Sequence, residues 1–231
     1  MVRPMSKTRI GIFGGSFDPP TKGHLHIAEH LLDSDVVDEV MFVPAYKSYH
    51  GKKYGATSQQ RIDMLELLCD SSKYGGDMGA LSISDFEITN KLTGGTYEYI
   101  SKFFDSIKSR DDRDEYEFYF IIGMDNAMVI DTYIKSDDLL NMIPFIVVDR
   151  DSVRYHQDSN LWFNSEPHKY VPIDDIHKNT SSSEIRKSMK NFENENIGFS
   201  KSFFHMCDVV VFAYMLNYEL YMTERLKNEN C

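Results

Sequence analysis

Residues 11–31, GIFGGSFDPPTKGHLHIAEHL, set a glycine pair and two prolines between an apolar run and a helical stripe. No other stretch restricts the fold of this chain as strongly. The overlapping RIGIF alternates apolar and polar residues between turn formers and reads as a strand. LHIAEHLL then places Leu25, Ala28, Leu31 and Leu32 on one side of a helix. Strand, stiff glycine-rich turn and helix follow one another, and such a turn aims backbone N–H groups and a helix N-terminus at one point. That is a ready anion site.

The same alternation continues along the chain. Strands are expected at Arg9–Phe13, Glu39–Val43, Leu81–Ile88, Glu117–Ile122 and Phe145–Val148, with a last short one at Tyr170–Ile173. Helices are expected at His24–Asp33, Gln59–Cys69, Thr96–Ile107, Asp137–Met142 and Ser183–Met189, and along the apolar stretch from Phe203 to Leu226. Strands alternating with helices predict an α/β fold, a doubly wound parallel sheet followed by a C-terminal helical portion. Ligands of such sheets sit at the carboxyl ends of the strands, near the switch point. One domain over residues 1–231 is expected, with its helical part beginning at about 181. SSKYGGDMG and SRDDRDE read as surface insertions, and RDSVRYHQDSNLWFNSEPHKY as a long polar connection.

Charge narrows the partners. With 25 basic and 36 acidic residues the net charge is −11, which argues against nucleic acid, because a phosphate backbone needs a basic face. One small anion in a local pocket stays compatible with it. Cys69, Cys207 and Cys231 are few, odd in number and far apart, so reduced thiols are expected rather than a disulfide framework. MVRPMSKTR lacks a secretory apolar core, and Val209–Leu216 is too short to span a bilayer. The expected compartment is the cell interior, the cytoplasm first and the nucleus left open, with no membrane partner.

Two familiar phosphate loops fail on this segment. The glycines fall at 11, 14 and 15 and the second strand ends Val43-Pro44-Ala45, so the dinucleotide fingerprint of a dehydrogenase is missing. Nothing matches G-x-x-x-x-G-K-[ST]. A third kind of grip is needed. Gly14 and Gly15 let phosphates approach the backbone, Pro19 and Pro20 stiffen the turn, and Gly23 leaves room at the helix start. His24 stands in the first helical turn, where an imidazole N–H can meet developing phosphate charge. Far downstream, Ser181-Ser182-Ser183-Glu184-Ile185-Arg186 offers hydroxyls before a short helix and a planar, permanently charged guanidinium.

Thr21-Lys22-Gly23-His24 resembles the [H/T]xGH signature of the nucleotidyltransferase superfamily, and SSSEIR its second signature, S-S-[ST]-x-[IL]-R. The likeness narrows to the nicotinate/nicotinamide-mononucleotide adenylyltransferases and runs over most of the chain. GGSFDPPTKGHL, FVPAYKSYHGKKYGATSQQRIDMLELL, YFIIGMDNAMVIDTYIKSDDLL and the closing VVVFAYMLNYELY are each similar to segments of that family. Phosphopantetheine adenylyltransferases, the alternative reading, share the phosphate motifs but are shorter and lack the IIG-x-D segment.

The resemblance implies a Rossmann-like fold and a set of roles. Gly14, Ser16, Phe17, Thr21, His24, Gly123, Ser181, Ser182, Ser183 and Arg186 would hold ATP, with His24 and Arg186 catalytic. Gly15, Ser16, His50, Lys52, Thr96, Asp125 and Tyr133 would hold the mononucleotide. Asp125 would accept ribose hydroxyls, and Tyr133 would stack on the pyridine ring where many relatives carry tryptophan. Around Thr96 the chain departs from the usual S-Y-T and reads G-G-T. Lys53 and His26 read as solvated or structural, and Trp162 as a local anchor.

The implied reaction joins ATP and nicotinate mononucleotide, the amide form being the other acceptor considered, into the dinucleotide and pyrophosphate. A phosphate nucleophile is already ionised, so positioning and charge stabilisation suffice. Mg²⁺ would be held mainly by ATP phosphates and water, with no metal ligands assigned to the protein. A homo-oligomer is considered, and the oligomeric state is left open.

Overall fold

The computed structural model describes residues 7–48, 51, 53–75, 79–149, 161–173, 180–191 and 199–222. Among them, β1 (Thr8–Gly15), β2 (Glu39–Pro44), β3 (Leu81–Ile83), β4 (Tyr116–Gly123), β5 (Phe145–Asp149) and β6 (Lys169–Pro172) form one sheet in the order β3-β2-β1-β4-β5-β6. Every neighbouring pair is parallel. The chain winds outward from β1 through β2 to β3, then crosses to lay β4 against the other side of β1. The switch point therefore lies between β1 and β4, where Phe13 is level with Ile121.

Period-2 alternation divides the core between the two faces of this sheet. Ile10, Ile12, Phe118, Phe120, Ile122, Phe145 and Val147 point one way, under Tyr99, Ile100 and Ile107 of α4 (Gly95–Ile107). Phe13, Val40, Phe42, Ile121, Ile146 and Val148 point the other, against α1 (Lys22–Asp33) and α2 (Ser58–Asp70). Because β4 and β5 are covered on both faces, they are written as the continuous apolar runs EFYFII and FIVV. Gly11 in β1 is a close-approach glycine. A Cβ there would come within 2.7 Å of Ile121 Cδ1.

Short helices join the remaining elements: α3 (Phe86–Thr89), α5 (Met124–Ala127) and α6 (Ser136–Met142). The last described helices, α7 (Ser182–Asn191), α8 (Lys201–Met206) and α9 (Val209–Asn217), form a third layer on the outer side of α2. There Met64 and Leu68 of α2 pack with Ile185, Met189, Phe203, Val211 and Met215.

Two expected elements are corrected. The Leu81–Ile88 strand stops at Ile83, and the rest turns into α3. Ser84 Oγ accepts from Phe86 N–H at 3.4 Å, and Thr89 Oγ1 donates to Asp85 at 2.8 Å, so the Ser-Asp pair starts a helical turn instead of continuing the pleat. The apolar stretch from Phe203 is not one helix. Asp208 caps α9 by accepting from Val210 N–H at 3.0 Å, and α8 ends before it.

Candidate active site

β1 ends in Gly14 and Gly15, and the chain leaves it through Ser16 and a buried Phe17 in the left-handed region, φ 48°. Such a backbone costs a non-glycine residue about 1–3 kcal/mol. The Phe17 ring offsets this by packing edge-on against Phe13, Phe42 and His24, with centroids 5.0–5.9 Å apart. Gly15 has to be small here, since a Cβ would meet that ring at 2.8 Å. The Asp18–Pro19 peptide bond is cis.

α1 then starts with a reciprocal cap. Thr21 Oγ1 accepts from His24 N–H at 3.4 Å, while Thr21 N–H donates to His24 Nδ1 at 2.9 Å. Histidine takes the place that glutamate or glutamine fills in the usual capping box. This explains the T-x-x-H spacing physically. It also fixes the ring, because an Nδ1 that accepts leaves the neutral imidazole protonated on Nε2.

Two buried charged side chains hold this loop from behind. Arg61 of α2, fully buried, donates to Ser16 O and Ala45 O, each at 2.7 Å, and its guanidinium lies 4.2 Å from the Tyr54 ring centre. Desolvation lowers its pKa below the usual arginine value. Asp18, 2% exposed, accepts from Gly55 N–H and Ala56 N–H at 3.0 Å and from Tyr221 O–H at 2.8 Å.

The second motif docks on the same loop. Ser182 Oγ donates to Pro19 O at 2.7 Å, and Arg186 Nη1 donates to Asp18 O at 2.5 Å. Arg186 Nη2 also reaches Ser183 Oγ at 3.0 Å. Segments 163 and 168 residues apart are thus joined at the head of α1.

Beside this junction, at the carboxyl ends of β1 and β4, lies a cleft of about 1260 Å³. Of the residues singled out from sequence, Gly14, Gly15, Ser16, His24, Thr96, Gly123, Asp125 and Tyr133 line it. Phe17 and Thr21 sit buried behind its wall. Ser181, Ser182, Ser183 and Arg186 follow Thr180, which lines the cleft, while they themselves do not. His50 and Lys52 lie outside the described residues. Asp125 is exposed in the first turn of α5, whose N-cap is Gly123, so its carboxylate is not a helix cap. Trp162 is an anchor: its Nε1–H donates to Ala127 O at 3.2 Å, and its ring meets Phe145 edge-on at 5.6 Å.

Lys47, Glu87 and Tyr99 also line the cleft, and the sequence reading did not select them. Arg61 was within reach, inside the R-x-x-M-L string, and Asp18 inside GGSFDPP. Burial pushes the Glu87 carboxyl up to about 7, although Tyr46 N–H, 3.0 Å away, and Arg61 both favour its charged form. Lys47 is the lone lysine or arginine among the described lining residues, against Glu87, Asp125 and Asp149. For an anionic ligand this lining offers Lys47, His24 and backbone N–H groups as its donors. Among the described residues there is no group of three or more His, Cys, Asp or Glu side chains that could hold a metal ion. Cys69 and Cys207 are buried free thiols pushed up to about 12, far too weakly acidic to serve as nucleophiles at neutral pH. No helix among the described residues is long and apolar enough to cross a membrane.

Residues 12–188 match the cytidylyltransferase-like family. A probable nicotinate-nucleotide adenylyltransferase of Listeria monocytogenes serotype 4a is 32% identical over 189 residues, 80% of this chain and 88% of its own length. One of the same name from Bacillus licheniformis is 32% identical over 185 residues, 79% and 86% of the two chains. Among solved structures, the Plasmodium falciparum nicotinic acid mononucleotide adenylyltransferase complexed with NaAD superposes with a TM-score of 0.74, at 21% identity, over 93% of this chain and 97% of its own. That likeness carries the fold.

Proposed function

The chain belongs to the cytidylyltransferase-like family, and we propose that it transfers the adenylyl group of ATP to nicotinate mononucleotide, giving the dinucleotide of NAD biosynthesis and pyrophosphate. The observation that carries this reading is the junction at the switch point. Ser182 and Arg186 meet Pro19 and Asp18 at the edge of the cleft that His24 lines.

A 5′-phosphate oxygen of the mononucleotide attacks the α-phosphorus of ATP. One P–O bond forms as the bond from the α-phosphorus to the bridging oxygen breaks, and pyrophosphate leaves in line. No proton has to be removed from the nucleophile. The chain's work is positioning and charge stabilisation. His24 Nε2–H, aimed by the Thr21 cap, donates to the α-phosphate oxygens. Gly14, Gly15 and Ser16 bring backbone N–H groups to the phosphates, and Arg186 with Ser181, Ser182 and Ser183 receives the pyrophosphate end. Asp125 accepts ribose hydroxyls, and Tyr133 stacks on the pyridine ring, with Thr96 beside it. Among the described residues no carboxylate group is clustered for a metal ion, so a divalent cation would be held mainly by the ATP phosphates and water. When bound, such a cation neutralises phosphate charge.

The test is pyrophosphate release with ATP and, in parallel, nicotinate mononucleotide, nicotinamide mononucleotide and phosphopantetheine. Fastest turnover with the nicotinate compound is expected, and release with phosphopantetheine alone would overturn the reading. His24→Ala should lower kcat by roughly 10²-fold or more, the scale of losing one oxyanion donor. Turnover near the wild-type rate in that variant would take His24 out of the chemistry.

A further inference from the structure

The closing VVVFAYMLNYELY segment has no part in the mechanism above, yet its last tyrosine reaches the phosphate loop. Tyr221 is 7% exposed, and its hydroxyl donates to Asp18 Oδ1 at 2.8 Å across 203 residues. Its backbone there is left-handed, φ 63°, as is that of Glu219, φ 50°. Burial and the neighbouring Asp18 carboxylate hold the phenol far above its ordinary pKa, so it stays a donor. Gly55 makes the space, since a Cβ on it would fall 2.6 Å from the Tyr221 ring and 3.9 Å from Arg186 Cδ.

Asp18 is where these groups meet. Its carboxylate takes three hydrogen bonds, from Gly55, Ala56 and Tyr221, which fix its plane. Its carbonyl takes the Arg186 guanidinium at 2.5 Å, and its Oδ2 stands 3.9 Å from Arg186 Nη1. Arg186 is thereby held between Asp18 and Ser183 before any nucleotide arrives. A half-buried guanidinium held by a defined partner set keeps one position, whereas one on a free stem must be ordered by the ligand at a cost in affinity.

We propose that Tyr221 is a positioning residue for adenylyl transfer: by fixing Asp18 it sets where Arg186 waits for the triphosphate. This rests on the reading that Arg186 meets ATP. Removing the hydroxyl leaves Asp18 short of a buried donor and frees the arginine, while the mononucleotide side of the cleft is untouched.

The experiment is a double-mutant cycle on Tyr221→Phe and Arg186→Ala, read as calorimetric affinity for a non-hydrolysable ATP analogue and as the separate KM values of the two substrates. Tyr221→Phe should weaken the analogue roughly tenfold, the scale of one buried hydrogen bond to a charged group. The mononucleotide KM should stay within about twofold, and the same change should cost nothing further in the Arg186→Ala protein. Equal losses in both backgrounds, or no loss in the wild type, would overturn the proposal. An Arg186→Ala protein of unchanged affinity would overturn it too, since Tyr221 would have nothing to act through. Because affinity needs no turnover, a chain that shows this coupling but releases no pyrophosphate would sink the adenylyl-transfer reading alone. If Tyr221→Phe does not fold, Asp18→Asn, which keeps the shape but drops the charge facing Arg186, takes its place in the cycle.

Discussion

Glu87 shows how much one side chain depends on where the fold puts it. In the unfolded chain its carboxyl titrates near 4.5, and in the folded chain near 7. Between those values the folded form keeps a proton that the unfolded form has released. Stability therefore falls as pH rises from about 4.5 to about 7 and levels off above that. Burial is the main cause, with Glu98 adding to it and Arg61 and the Tyr46 N–H opposing it. Glu87→Gln keeps an acceptor for Tyr46 and cannot ionise, so this part of the slope should vanish and the variant should exceed the wild type in stability at pH 8. Urea midpoints at pH 5.5 and 8 check it, and an unchanged slope would mean that Glu87 titrates normally. Nothing in SISDFEITN marks this residue, because its neighbours come from α2, α4 and the β2–α2 connection. Thr21 and His24 were legible for the opposite reason: they act on each other three positions apart, and a local pattern can record that.

Among the elements, α1 carries the most consequence per residue. Its capping hydroxyl holds the helix, and its capping histidine is the group proposed to serve the reaction, so the two roles can be separated by substitution. Thr21→Val removes Oγ1 and leaves the backbone N–H that orients Nδ1. A loss of about 1 kcal/mol in unfolding free energy is expected, with kcat reduced far less than in His24→Ala. A kcat loss as large as that of His24→Ala would mean that the hydroxyl, not the main chain, aims the ring. The strands of the sheet were readable because burial on two faces leaves long apolar runs. β3 was not, because three residues of strand and four of helix, joined by Ser84-Asp85, give the same short alternation as one longer strand. The split between α8 and α9 was written in the sequence as Asp208, a capping residue within an apolar stretch.

Over the whole molecule, two helical layers cover the sheet and a third packs on the outer side of α2, and that outermost layer carries Arg186. Phe203 is the large side chain that joins α8 to Ile185, Met189 and Val211 in that layer. Phe203→Ala should cost about 3–5 kcal/mol, the range for emptying a buried aromatic site. The opening should be local before it is global. Cys207, in the third layer, should then become labelled by thiol reagents ahead of Cys69, which sits under the sheet against α1. Simultaneous labelling would show that the layers unfold together. A doubly wound parallel sheet followed from the alternation of elements, but the docking of the third layer did not, since its apolar faces say only that they are covered, not by what.

The tie between Asp18 and Tyr221 spans 203 residues, and that span has a meaning in time. During synthesis at about 5–20 residues per second, the phosphate loop emerges roughly 10–40 seconds before the tyrosine that steadies it. For that interval a nascent chain carries the glycine loop while the tyrosine that ties down Asp18 is still to come, so the loop takes its final form only when the end of the chain arrives.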